Sequence, residues 1–215
     1  MSEDSEALLD GIARYYTRRI GEFGAQARGV DWNGLEGQVL RFEQLCRLLP
    51  DGPAFTICDL GCGYGALLEY LQPRYRRFTY HGLDISQAMI EAARERFRGG
   101  SGADFECGDK PKAADYCVAS GIFNVRGGAT AEVWEAHMAT ALAAMNDASA
   151  SGFAFNCLTT YSDVERMRPD LYYGDPCKWF DFCKRSFSRN IALLHDYGLY
   201  EFTILVRKRM GEPER

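Results

Sequence analysis

Apolar residues recur at helical spacing over 2–19 and again over 35–49, with a glycine-containing stretch, 21–34, between them. These segments predict a helical cap ahead of the core. From Phe55 the pattern changes to short β-rich runs at 55–60, 79–84, 104–107, 115–120 and 152–158, alternating with helical stretches at 66–71, 87–97 and 130–145. Such alternation implies a parallel sheet, because parallel neighbours need a crossover connection and the crossover helices cover the sheet's faces. Ser86 is placed to cap the second of these helices. A later helix opens on Asp175-Pro176, an N-cap acceptor followed by a first-turn proline. Trp179, Phe180, Phe182 and Cys183 then supply an apolar face through Phe187.

The chain closes on two β-like runs, 191–195 and 200–207, joined by only four residues, too few for a crossover helix and enough for an antiparallel hairpin. The expected fold is therefore α/β: a doubly wound, seven-stranded, mostly parallel sheet with a C-terminal antiparallel hairpin and an N-terminal helical cap. That ending departs from the commonest dinucleotide-binding domain, which continues with parallel crossover units. With 215 residues there is material for one sizeable core. We read 1–50 as a cap belonging to the same domain as the core at 51–215.

Charge narrows the partners. Asp and Glu total 30 against 25 Lys and Arg, a formal charge of −5, and no long basic run offers a footprint for phosphate backbones. Nucleic acid is disfavoured on that ground. The acidic N-terminus lacks the pattern of a secretory signal, and no stretch approaches the roughly 18 consecutive apolar residues of a membrane span, so the chain reads as soluble and cytoplasmic. Eight cysteines are scattered without a CxxC pair; they read as small core residues in a reducing compartment, and no metal site is expected.

The strongest motif is Asp59-Leu60-Gly61-Cys62-Gly63-Tyr64-Gly65, where a strand runs into a glycine-rich turn and a helix. Glycines tolerate positive φ and let a ligand approach the backbone, while the following helix aims free amides at the same space. Nineteen residues beyond Gly65, Asp84 ends the second strand, and parallel packing brings its carboxylate beside the turn, where it suits a ribose diol. Gly61, Gly63 and Ala66 alone satisfy the looser GxGxxG/A pattern, which equally admits NAD. Asp59, two residues before the first glycine, and the third glycine at 65 separate the two readings.

Asp-Leu-Gly-Cys-Gly-Tyr-Gly followed by Gly-Leu-Asp-Ile-Ser resembles the first two signature segments of the class I S-adenosylmethionine-dependent methyltransferases. The resemblance implies S-adenosylmethionine as cofactor, with Asp59 orienting the methionine amino group and Asp84 binding the ribose. Cys107-Gly108-Asp109 looks like the family's third-strand end, where an acid meets the adenine amino group. The segment ending at Ser120-Gly121 resembles the fourth strand, whose end lines the sulfonium. For the apolar adenine slot the candidates are Ile85 and Met89; their alternative is ordinary packing. Arg41 matches a carboxylate with two parallel donors and is a candidate for the methionine carboxylate, or else a solvated helix arginine beside a core Trp32. Tyr15 and Tyr16 either cover the site or pack the cap.

The acceptor is expected beyond the fourth strand, near Phe123 and Asn124, and beside the aromatic and charged loop 159–174, where Tyr172 and Tyr173 are candidates or fold onto the surface. The fourth-strand end departs from the Asn-Pro-Pro-aromatic pattern of base and glutamine methyltransferases, which points to a small-molecule acceptor, with a protein acceptor as second choice. Methyl transfer from a sulfonium needs positioning, desolvation and at most one proton removed. Candidate catalytic groups are His137, His195 and Asn124, whereas His81 lies inside a strand. Two other readings stay open: a noncatalytic module retaining the fold, and an NAD-dependent oxidoreductase. Cofactor binding and methyl transfer separate them.

Overall fold

All seven strands read from the sequence are present in the computed structural model, which describes residues 3–208 apart from positions 33 and 101. They are β1 (Phe55–Leu60), β2 (Phe78–Asp84), β3 (Ala103–Cys107), β4 (Ala114–Ala119), β5 (Ser149–Leu158), β6 (Asn190–Leu194) and β7 (Glu201–Arg207), in the order β3-β2-β1-β4-β5-β7-β6. Only β7 runs antiparallel to its neighbours β5 and β6. The helices are α1 (Glu3–Phe23), α2 (Leu35–Cys46), α3 (Ala66–Leu71), α4 (Gln87–Arg96), α5 (Ala131–Ala148) and α6 (Pro176–Ser186). Ser2, the expected start of α1, and 209–215 lie outside the described residues.

Period-two alternation along buried strands sorts side chains between two cores. On β5, Phe153, Phe155 and Cys157 face Trp134, Met138 and Leu142 of α5 and Trp179 of α6, while Ala154 faces the other way toward Leu45, Leu67 and Ile90 of α2, α3 and α4. Each such Leu or Phe contributes roughly 1.5–3 kcal/mol by leaving water. The indole of Trp134 donates to the Phe123 carbonyl at 3.0 Å, so the largest buried side chain leaves no unpaired N–H.

Boundaries move where hydrogen bonding overrides the apolar pattern. α2 stops at Cys46, three residues early, because Leu48 and Leu49 donate to the carbonyls of Leu45 and Cys46 in tight turns ahead of Pro50. α1 runs on to Phe23. β5 begins at Ser149 directly off α5, and His195 and Tyr200 fall in the hairpin connection instead of the strands. The expected caps hold: Ser86 Oγ accepts from Met89 N, and Asp175 Oδ1 from Cys177 N and Lys178 N.

Register brings the site together. Leu60 stands opposite both Leu83 and Ala119, so Gly61, Asp84 and Ser120 emerge level at the carboxyl ends of three adjacent strands. α1 lies across this edge, tied to α4 by a 2.8 Å hydrogen bond between Thr17 Oγ1 and Ser86 Oγ. Among the described residues no helix is long and apolar enough to cross a membrane.

Candidate active site

Two clefts open at the carboxyl edge of the sheet. The first, about 780 Å³, is lined by Leu60, Gly61, Gly63, Asp84, Ile85, Met89, Gly108, Asp109, Ser120, Gly121 and Ile122 from the strand ends, with Leu9, Ile12 and Tyr16 of α1 above them. The second, about 1040 Å³, is lined by Asn124, Val125, Leu158, Ser162, Arg166, Arg168, Leu171, Tyr173, Leu199, Tyr200, Glu201 and Arg41. Tyr16, Val30, Trp32 and Gly121 line both, so the clefts meet there. Beneath Trp32 a recess of about 320 Å³ reaches Asp59, Cys62, Gly63 and Ser120.

The glycine turn is built by close approach. Gly61 N and Cys62 N both donate to the Leu83 carbonyl, at 2.7 and 2.8 Å, which folds the chain sharply after β1. Gly63 has φ +54 and donates to Asp84 Oδ2 at 2.9 Å; a Cβ there would stand 3.0 Å from Val30 Cγ1. Gly65 has another job, since a Cβ would meet the Phe97 ring at 2.6 Å, inside the core. Gly121, φ +78, receives the edge of the Trp32 indole, whose Cζ2 is 2.3 Å from where a Cβ would be. Its N–H is held by Asn156 Oδ1 at 2.7 Å.

Two buried acids flank the turn. Asp84 accepts from Ser86 N at 2.8 Å as well as from Gly63, yet burial outweighs these bonds and raises its pKa to about 6. Asp59 takes a 2.5 Å hydrogen bond from the Tyr80 hydroxyl; burial pushes it up to about 7, the Tyr80 bond opposing and the Asp84 charge adding.

The second cleft is held by ion pairs. Arg41 donates to both carboxylate oxygens of Glu201 and stacks over Trp32. Asp31, in the left-handed region at φ +63, gathers Tyr15 Oη at 2.7 Å, Arg19 at 2.9 Å and Arg168 at 3.1 Å, joining α1 to the loop 159–174. Arg168 also pairs with Asp170 at 2.6 Å.

Several expected residues sit elsewhere. Phe123 is fully buried edge-on to Phe155, and the Tyr172 hydroxyl is taken up by Glu135 and Trp179; neither lines a cleft, because the apolar core claims both rings. Arg41 finds its carboxylate in Glu201 of the chain itself. His195 packs on Tyr161 and Phe202 in the hairpin connection, away from both clefts. His137 lines the first cleft near Asp109, not the second, and burial lowers its pKa. Tyr173 and Asn124 do line the second cleft, with Asn124 Oδ1 accepting from Leu158 N at 3.1 Å. Ile122, Val30 and Glu201 escaped the sequence reading. Ile122 was findable as the residue following Gly121; Glu201 was not, since nothing local marks a strand-end acid 160 residues from its arginine.

Comparison with known proteins fits this geometry. A family model described as "Methyltransferase domain" matches residues 58–146. A Mycobacterium tuberculosis (strain ATCC 25618 / H37Rv) protein named "Putative methyltransferase Rv1506c" is 56% identical over 163 residues, covering 75% of this chain and 98% of that protein. The chain belongs to the class I S-adenosylmethionine-dependent methyltransferases. Solved methyltransferases share its fold at low identity. The DhpI complex with SAH superposes with a TM-score of 0.66 at 15% identity, covering 94% of this chain and 97% of that one. Magnesium protoporphyrin IX methyltransferase (ChlM) from Synechocystis PCC 6803 with bound SAH gives 0.63 at 15% identity, covering 81% and 84%.

The methyltransferase's first cleft fits its cofactor on three counts. Gly63 keeps the backbone bare where a Cβ would crowd the wall, the Ser120 Oγ is buried on that wall without a protein partner, and two apolar side chains, Ile85 and Ile122, line the same cleft as the Asp109 acid. Among the described residues no cluster of His, Cys, Asp and Glu is arranged to hold a metal ion.

Proposed function

We propose that this methyltransferase modifies a small-molecule acceptor seated in the second cleft. The observation that carries the reading is the shared wall: Tyr16, Val30, Trp32 and Gly121 border both clefts, so an acceptor in the second is a neighbour of a cofactor in the first. Bound S-adenosylmethionine supplies a methyl carbon already activated by a sulfonium. In this reading Asp84 takes the ribose, Ile85, Met89, Ile122 and Asp109 surround the adenine, and Gly61, Cys62, Gly63 and Asp59 border the methionine end, with Ser120 and Gly121 beside the sulfur.

The protein's own contribution is position. Trp32, braced by Arg41 and Gly121, sets an indole on the wall the two clefts share, and α1 roofs the first cleft. None of the three histidines lines the second cleft. Asn124 accepts hydrogen bonds but takes no proton at neutral pH, so its part is to hold the loop 159–174 through Leu158 N and, by its own carbonyl, Tyr172 N at 2.8 Å. The cap and core act as one unit in this scheme, in the reducing cytoplasm that eight free cysteines suit.

Incubation with methyl-labelled S-adenosylmethionine and a cell extract, followed by size fractionation, tests the reading. Label should enter the low-molecular-weight fraction. Label confined to protein or nucleic acid would overturn the small-molecule acceptor.

A further inference from the structure

Resting on that placement of the acceptor, we propose that the acceptor is a neutral amphiphile, whose hydroxyl-type head lies in the second cleft and whose apolar tail crosses an exposed rim at Tyr161, Val164 and Tyr200. Only five large hydrophobic side chains are exposed among the described residues, and three of them stand together here, at 69%, 79% and 39% exposure. They come from two separate segments, the loop 159–174 and the β6–β7 connection. The Tyr200 hydroxyl binds Asp163, Thr159 N donates to the Tyr200 carbonyl, and Tyr161 packs on His195. Isolated exposed apolar residues need no explanation, but a patch bordering a ligand cleft does. This patch is continuous with the cleft, because Tyr200 itself lines it.

Charge balance sets the head group. Each cation lining the second cleft already faces an acid: Arg41 has Glu201, Arg168 has Asp31 and Asp170, and Arg166 lies 3.7 Å from Asp163. A carboxylate or phosphate entering past the rim Arg166, which is exposed and holds Asp163 only loosely, would compete with Glu201 and Asp31 for Arg41 and Arg168 while facing both of those carboxylates. A hydroxyl adds no charge and can still donate to those carboxylates. Val125, Leu158 and Leu171 add apolar side chains to the same lining that Tyr200 completes.

Isothermal titration of 4-ethylphenol, 4-butylphenol and 4-octylphenol into the full chain saturated with S-adenosylhomocysteine tests this. Affinity should rise roughly tenfold from the butyl to the octyl compound, less than full burial of four methylenes would give, since the rim is open on one side. In the double variant Tyr161→Ser/Val164→Ser that increment should vanish, with S-adenosylhomocysteine affinity retained as the sign of an intact fold. At equal chain length 4-butylphenol should bind more tightly than 4-butylbenzoate. No gain with chain length, or a gain that survives in the double variant, overturns the tail; tighter benzoate binding overturns the neutral head. Failure of S-adenosylhomocysteine itself to bind strikes at the cofactor site instead, so the two failures are distinguishable.

Discussion

Arg41 meets Glu201 through two parallel hydrogen bonds, Nε to Oε2 at 2.8 Å and Nη2 to Oε1 at 2.6 Å, and its guanidinium carbon lies 3.8 Å from the centre of the Trp32 ring. The pair links α2 to the start of β7 and braces the indole at the junction of the clefts. Both side chains are largely buried, so the loss of one strands the other. Glu201→Gln should lower unfolding free energy by about 3–5 kcal/mol, whereas Arg41→Met/Glu201→Met together should recover much of that, because neither charge then remains buried alone. Urea titration of the three variants measures it.

Asp59 makes stability depend on pH. Its folded pKa of about 7 lies above the ordinary carboxylate value of 3.8, so the folded state holds the proton more tightly than the unfolded chain. The stability this contributes is fully present below about pH 4 and lost as pH rises through about 7. Asp59→Asn keeps an acceptor for the Tyr80 hydroxyl and removes the charge. It should be more stable than the parent at pH 7.5, by a margin that shrinks toward pH 4.5, in paired denaturation curves.

Asp84 offers a cofactor test. If its carboxylate receives the ribose hydroxyls, Asp84→Ala should weaken S-adenosylhomocysteine binding at least tenfold by calorimetry, a loss of about 1.4 kcal/mol or more. Its pKa is raised to about 6 by burial, so the ionised acceptor is depleted below that pH. Affinity should therefore fall between pH 7.5 and 5 in the parent and fall less steeply in Asp84→Asn, where only Asp59 still titrates beside the cofactor. An unchanged affinity in Asp84→Ala would falsify the ribose placement.

Asp31 latches the loop 159–174 to the cap. Asp31→Ala removes the acceptor shared by Tyr15, Arg19 and Arg168, and it also leaves a residue with no side-chain hydrogen bond in the left-handed conformation. The loop 159–174 should open more often. Trypsin cleavage after Arg166 should speed up several-fold, with little change in cleavage elsewhere.

Local signals carried much of this protein. The alternation of strand and helix patterns, the four-residue gap before the last strand, and the Asp59-to-Gly65 turn with Asp84 nineteen residues on were all legible, because each depends on residues near one another in the chain. Boundary errors arose where a competing hydrogen bond ended an element before its apolar pattern did, as at Leu48 and Leu49. The lining of the second cleft was less legible. Phe123 and Tyr172 carry the residue types of a binding wall, but their rings turn inward, and sequence does not say which side of a loop faces the core.

The sequence by itself determined the sheet, its antiparallel ending and the glycine turn, since hydrophobic period and backbone freedom are properties of neighbouring residues. Only the tertiary structure decided that Arg41 is committed to Glu201, that Asp59 meets Tyr80, and that Trp32 rests on Gly121 where two clefts join. These contacts span 21 to 160 residues and depend on strand register and helix placement. Burial, which raises the two acids above their ordinary values, likewise exists only once the chain has closed around them.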